Sequence, residues 1–185
     1  MPPGSIRASI AQRGYLLASV DQNTSLFGYR NQASGTLAGF DIDLAHEVAQ
    51  AISGDPDKVT FRAVPPARRI EVLRTKEMDL VGELMTITCD RLSKVLFSMD
   101  YFDSRPRVLV DKDNRATSLE ELRGRKVCSP SGGTGIAFLR EFPAKPIPAT
   151  DWLDCLAKLQ QHEGYAIAGS DAILIGLARQ DPASR

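Results

Sequence analysis

Thr86, Thr88 and Arg91 follow a short apolar run, Leu80-Val81-Gly82, inside the segment Met78-Asp-Leu-Val-Gly-Glu-Leu-Met-Thr-Ile-Thr-Cys-Asp-Arg91. A strand end that presents two hydroxyls and one guanidinium suits a small carboxylate, because the planar fork donates two parallel hydrogen bonds. A solvated arginine on a short helix is the plainer alternative. Ser131-Gly-Gly-Thr-Gly135 is a second anion-seeking feature: where a strand feeds a helix, the Thr134 N–H and hydroxyl point towards an anion at the helix start. A nucleotide phosphate loop would carry Lys and then Ser or Thr after its last glycine. Ile136 and Ala137 stand there instead, which argues against a nucleotide.

These residues need elements to hold them. Residues 39–52 read as a helix, with Asp41 capping its free N–H groups, Asp43 near the positive end of the dipole, and Leu44, Val48, Ala51 and Ile52 forming an apolar stripe. The pattern predicts strands near residues 15–20, 59–64, 79–82, 107–111, 125–129 and 165–168. Helices are predicted near 42–52, 68–75, 90–94, 119–122, 134–141, 151–161 and 171–179. Such alternation implies α/β layers around mainly parallel sheets. Residues 143–148 read as a short Pro-rich turn, and there is neither an internal repeat nor a low-complexity tract. The composition breaks near Phe102-Asp-Ser-Arg-Pro106, after which strand and helix alternate afresh. A switch of this kind is where open α/β sheets place ligands.

With 185 residues, 43% of them apolar, the chain can bury a substantial core. The 23 basic and 23 acidic residues balance, and aromatics make up only 6%, so the basic stripe with interleaved aromatics of a nucleic-acid binder is missing. The most apolar stretch, 166–178, is interrupted by Ser170 and Asp171, which disfavours a membrane span. Cys89, Cys128, Cys155, His46 and His162 lack metal-ligand spacing, and neither a metal nor a cofactor is expected. Residues 1–5 show neither a basic nor an apolar leader region, leaving two readings open: a cytosolic protein, or an exported domain whose signal has been removed.

Residues 39–52 and 78–91, together with Phe97-Ser-Met-Asp-Tyr-Phe102, resemble family 3 solute-binding proteins of bacterial ABC importers, which take up polar amino acids. The likeness runs from about Gly14 to Pro182. It includes Asp21-Gln22 with Phe27-Gly28, Pro65-Pro-Ala-Arg-Arg-Ile70, Leu122-Arg-Gly-Arg-Lys-Val127, Ser131-Gly-Gly-Thr134 and Ser170-Asp-Ala-Ile-Leu174. The glutamate/glutamine-type branch of actinobacteria looks closest. The resemblance implies a two-lobed periplasmic-binding-protein type 2 fold (a Venus flytrap), α/β with mainly parallel sheets, lobe 1 spanning 1–104 and a partial lobe 2 spanning 105–185. In the family the chain crosses back to lobe 1 after the helix that follows the Ser170-Asp171 position. Here it stops at residue 185, so the fold is expected to be incomplete at its C-terminus, with unpaired sheet edges and looser closure.

The resemblance also implies roles. Arg91 pairs with the ligand α-carboxylate, Thr86 adds a hydroxyl and a backbone donor, and the Leu84 carbonyl accepts from the ammonium. Arg69 matches the arginine that approaches the side chain in acidic-amino-acid binders. Arg68 could exchange roles with it, and the pair could equally be a solvated helix start. Asp21 and Phe27 lie on the first loop, where relatives cover the ligand with an apolar or aromatic side chain; Phe27 as plain core stays open. An acidic residue that holds the ammonium is common where Ser170 stands. Asp171 is adjacent, but one residue along a helix start turns the side chain by roughly 100°, so either Asp171 serves through a shifted register or the ammonium is held less tightly. Glu83 occupies a position that is usually small or polar. Facing the ligand it would favour glutamine or a cationic amino acid; facing away it leaves the glutamate reading intact.

Cys128 and Cys155 are the expected disulfide of an exported protein, since a strand and the helix two elements later in one lobe can be neighbours. The expected whole is a monomeric binding protein, extracellular or periplasmic and lipid-anchored, that closes on glutamate, aspartate or glutamine and delivers it to a membrane permease. Nucleic acid is not an expected partner. A sensory domain of a receptor and an enzyme on the same fold, such as a dehydratase, are the competing readings.

Overall fold

The computed structural model describes residues 5–142 and 144–184. Along them run α1 (Ile6–Arg13), β1 (Leu16–Val20), β2 (Asn23–Thr24), β3 (Gly28–Arg30), β4 (Leu37–Ala38), α2 (Phe40–Ser53), β5 (Val59–Ala63), α3 (Arg69–Arg74), β6 (Leu80–Gly82) and α4 (Cys89–Leu92). There follow β7 (Pro106–Leu109), β8 (Lys126–Pro130), α5 (Gly135–Glu141), β9 (Lys145–Ala149), α6 (Trp152–Gln160), β10 (Ala166–Ser170) and α7 (Asp171–Gln180). The chain divides into two compact units. The first comprises the residues to Gln22 with Leu26–Val64 and Arg68–Phe97; the second comprises Asn23–Ser25, Pro65–Ala67 and the residues from Ser98.

In the first unit β1 lies between β5 and β6, parallel to both. The apolar residues of β1 explain its central place: Leu16, Ala18 and Val20 are buried, and Leu16 and Ala18 with Ile10, Ala45 and Ala49 begin a core completed by Val48, Ile52, Val59, Phe61 and Leu80. Helix α2 therefore turns Ile42, Ala45 and Ala49 inward, with Val48 and Ile52 at the margin. Ala51, assigned above to the apolar stripe, is exposed. Asp41 is not the cap either. Gly39 is the N-cap residue, at φ 126°, and a Cβ there would stand 2.5 Å from the Phe27 carbonyl oxygen. The Phe27 and Leu26 carbonyls take the Asp41 and Phe40 N–H groups, each at 2.9 Å, and so hold the first turn of α2.

In the second unit the sheet runs β7-β10-β8-β9, antiparallel only at β7. Its core gathers Leu122, Val127, Leu139, Ala166 and Ala168. Cys128 of β8 and Cys155 of α6 are joined as a disulfide, with 5.5 Å between their Cα atoms. Strand β9 replaces the expected Pro-rich turn, whose first residue, Pro143, lies outside the described residues. The Lys145 N–H donates to the Arg125 carbonyl and the Ala149 carbonyl accepts from the Ser131 N–H, so the odd-numbered residues of β9 face β8. Pro146 and Pro148 consequently face the outer edge, where their missing N–H groups break no ladder. The expected lobe boundary at 104/105 falls inside this unit. Asp171 binds Arg105 there in both directions, its N–H donating to the Arg105 carbonyl at 2.8 Å and its Oδ1 accepting the Arg105 N–H at 3.1 Å.

Candidate functional site

The loop that leaves β6, residues 83–86, is gripped by three buried charged side chains from three different helices. Arg69 of α3 donates from Nη1 to the Glu83 carbonyl at 3.0 Å. Asp41 of α2 accepts the Leu84 N–H on Oδ2 at 3.1 Å. Arg91 of α4 donates from Nη1 to the Thr86 carbonyl at 2.6 Å. None of the three is more than 7% exposed. The grip has work to do, because Leu84 sits at φ 47°, in the left-handed region, which costs a residue with a Cβ about 1–2 kcal/mol.

Local sequence explains how Arg91 arrives there. Thr88 caps α4, its hydroxyl accepting the Arg91 N–H at 3.3 Å, which fixes Arg91 in the first turn and sends its guanidinium back over the loop. Of the two threonines read as carboxylate ligands, Thr88 is thus committed to the cap, and Thr86 is the exposed one. Burial first, and then the like charge of Arg69, lower the Arg91 pKa to about 10, while Asp90 pulls it back upward. Two guanidiniums that oppose each other in a half-dry place favour the arrival of an anion.

Glu83 is buried within the first unit. Its carboxylate accepts the Ser19 hydroxyl of β1, and Oε2 lies 3.9 Å from Arg69 Nε. Burial pushes its pKa up to about 7; the Ser19 hydroxyl and the Arg69 charge work against the rise, and Asp21 and Asp41 add to it. Asp21 thus belongs to the same electrostatic neighbourhood, and Arg68 does not: it is half exposed and pairs with Glu71 and Glu77. Phe27 is 6% exposed and meets the edge of Phe40, centroids 6.2 Å apart, at the start of α2.

In the second unit Thr134 is exposed between β8 and α5, and Ser170 ends β10, parallel to β8, so both lie at the same end of that sheet. Gly135 lets α5 start close in: a Cβ there would stand 2.2 Å from Ser129 Oγ and 2.6 Å from the Ala168 carbonyl oxygen. Asp171 Oδ1 serves the Arg105 and Ala172 N–H groups. The register shift that would lend this carboxylate to a ligand competes with a structural tie. A groove of about 600 Å³, lined by Asp113, Arg125, His162, Glu163 and Tyr165 among others, lies at the opposite end of the same sheet. Among the described residues no three His, Cys, Asp or Glu side chains are grouped to hold a metal, and no helix is long and apolar enough to cross a membrane.

Sequence reading missed Asp41 and Ser19 as parts of this cluster. Asp41 lies between Phe40 and Ile42, and Ser19 between Ala18 and Val20; a polar residue embedded in an apolar run is a signal of burial with a partner.

The fold is that of the type 2 periplasmic-binding-protein class. The chain belongs to the bacterial extracellular solute-binding proteins, family 3, whose model matches residues 16–183. It is 33% identical to a glutamine-binding protein of Geobacillus stearothermophilus, over 94% of this chain and 67% of the relative. It is also 33% identical to the ABC transporter glutamine-binding protein GlnH of Bacillus subtilis, over 94% of this chain and 65% of that one. The chain thus spans about two thirds of the length of these relatives. A crystal structure of the solute receptor for L-cysteine of Neisseria gonorrhoeae superposes with a TM-score of 0.91 at 26% identity, covering 98% of this chain and 74% of the other.

Proposed function

We propose that this chain forms the ligand-binding part of an ABC importer for polar amino acids, with L-glutamine as its preferred ligand. The carrying observation is Arg91, a buried guanidinium opposed by Arg69 and held over the backbone of loop 83–86 beside the exposed Thr86. The α-carboxylate is its natural counter-charge, with Thr86 as a further donor and the Leu84 carbonyl as acceptor for the ammonium. Glutamine is favoured over glutamate because Arg69, the candidate for an acidic side chain, is already engaged by the Glu83 carbonyl and flanked by its carboxylate. The 33% identity to two proteins named for glutamine binding supports the same choice.

Binding by closure, with Thr134, Ser170 and Asp171 completing the ligand shell, belongs to the proposal and rests on the family resemblance. So do delivery to a membrane permease, a lipid anchor and a monomeric state. The Cys128–Cys155 disulfide supports an oxidising, extracytoplasmic location. Thermal stabilisation tests the ligand: L-glutamine at about 100 times its dissociation constant adds roughly 2.7 kcal/mol of stability. L-Glutamate, L-aspartate, L-cysteine and L-arginine at equal concentration should add less. A larger shift with glutamate or aspartate would reassign the side-chain pocket, and no shift with any of the five would overturn the reading.

A further inference from the structure

Asp41 contributes nothing to the expected ligand shell, yet it is the most enclosed charged group in the cluster, at 1% exposure. It stands in the first turn of α2, fixed by its own N–H to the Phe27 carbonyl at 2.9 Å, and offers Oδ2 to the Leu84 N–H at 3.1 Å. Its backbone also closes on β6, the Asp41 carbonyl oxygen lying 3.6 Å from where a Gly82 Cβ would be. Leu84, the residue it holds, has a left-handed backbone that a leucine does not adopt unaided. A leucine relaxing to negative φ would swing its peptide planes away from their present directions, and with them the carbonyl presented after β6.

We propose that Asp41 is a positioning residue for amino-acid recognition: its carboxylate holds Leu84 in the left-handed conformation and so aims the loop 84–86 at the ligand. This rests on the reading under Proposed function, because the Leu84 carbonyl and Thr86 matter only if a zwitterion binds there. The hold runs through the Leu84 N–H and an unfavourable dihedral angle, so glycine at position 84, which adopts positive φ freely, should relieve the need for it.

The test is calorimetric titration of L-glutamine into the wild type and the variants D41A, D41N, L84G and D41A/L84G, each first shown to melt cooperatively, with Leu84 amide exchange measured alongside. D41A should weaken binding at least tenfold and expose the Leu84 amide to exchange. D41N, which keeps an acceptor oxygen, should stay within fivefold of the wild type, and the affinity of L84G serves as the reference for the double variant. The double variant should recover to within threefold of L84G, a rescue that a merely structural carboxylate would not show. Binding by D41A within threefold of the wild type, or no recovery in the double variant, would overturn the proposal. Should D41A fail to fold, L84V takes its place: a β-branched residue resists positive φ while Asp41 stays intact, so a tenfold loss supports the proposal and a loss under threefold overturns it. If the wild type binds none of the amino acids, the ligand reading falls and the proposed role in recognition falls with it. Loss of Leu84 amide protection in D41A would then still establish the hold on the loop, and unchanged protection would refute that as well.

Discussion

Arg69 and Glu83 engage each other twice, once through the backbone and once through the side chains. The Nη1 of Arg69 donates to the Glu83 carbonyl at 3.0 Å, while its Nε lies 3.9 Å from Glu83 Oε2. Both residues are 6% exposed. The backbone bond survives whatever the protonation state of the carboxyl, so Arg69 keeps the turn after β6 in place even when Glu83 is neutral. The side-chain contact changes with pH, and it sets how much positive charge this pair shows to an approaching ligand.

Glu83→Gln should flatten the pH dependence of stability. Burial raises the Glu83 pKa from its ordinary 4.5 to about 7. The folded state therefore holds the proton more tightly than the unfolded chain does. The resulting stabilisation is fully present below about pH 4.5 and is lost as the pH rises through 7. The pH-dependent part amounts to about 3 kcal/mol at most. Urea titrations at pH 5 and pH 8 should show the wild type weakening, relative to the variant, at the higher pH. Parallel losses in the two proteins would show that the carboxyl titrates normally.

Arg91→Ala should weaken L-glutamine binding by at least tenfold while the protein remains folded, since a charge-assisted hydrogen bond contributes about 1.5–3 kcal/mol. Arg91→Lys should rescue little, because a point charge cannot both reach the Thr86 carbonyl and present a planar fork. Calorimetric affinity within threefold of the wild type for either variant would remove Arg91 from the site.

Gly39→Ala should destabilise the first unit by about 2 kcal/mol or more. The added Cβ meets the Phe27 carbonyl oxygen at 2.5 Å, and φ is 126°. Both partners are backbone and cannot rotate away. A chemical denaturation midpoint equal to that of the wild type would contradict this geometry.

Reduction of the Cys128–Cys155 bond, or its replacement by serines, should cost about 3.5 kcal/mol for the 27-residue separation it closes, on the chain-entropy account. Thiol counting under non-reducing, denaturing conditions should find one free cysteine, Cys89. Two or three free thiols would show that the bridge does not form.

The elements built from apolar runs were legible from residue order alone. The strands expected near residues 15–20 and 165–168 are β1 and β10, whose apolar runs suit buried parallel pairing, which needs little alternation. Strand β9 was not legible, since Pro146 and Pro148 remove the donors by which a strand is ordinarily recognised; only an edge with both prolines facing outward accommodates them. Helix α1 lacks an apolar face, and of its residues only Ile10 is buried, so no periodicity announced it. At the site, the residue types of Thr86, Arg91 and Arg69 pointed to an anion, but which hydroxyl caps a helix and which carboxylate turns inward depend on contacts far apart in sequence. Asp41 and Leu84 are separated by 43 residues, and a left-handed leucine leaves no mark in composition.

The outer margin of β9 offers carbonyls at Pro146 and Pro148 but no N–H groups, so a second extended chain finds acceptors there and no donors. Growth of a cross-β assembly needs both, layer after layer. This border of the sheet therefore lacks half of the ladder that an added strand would need.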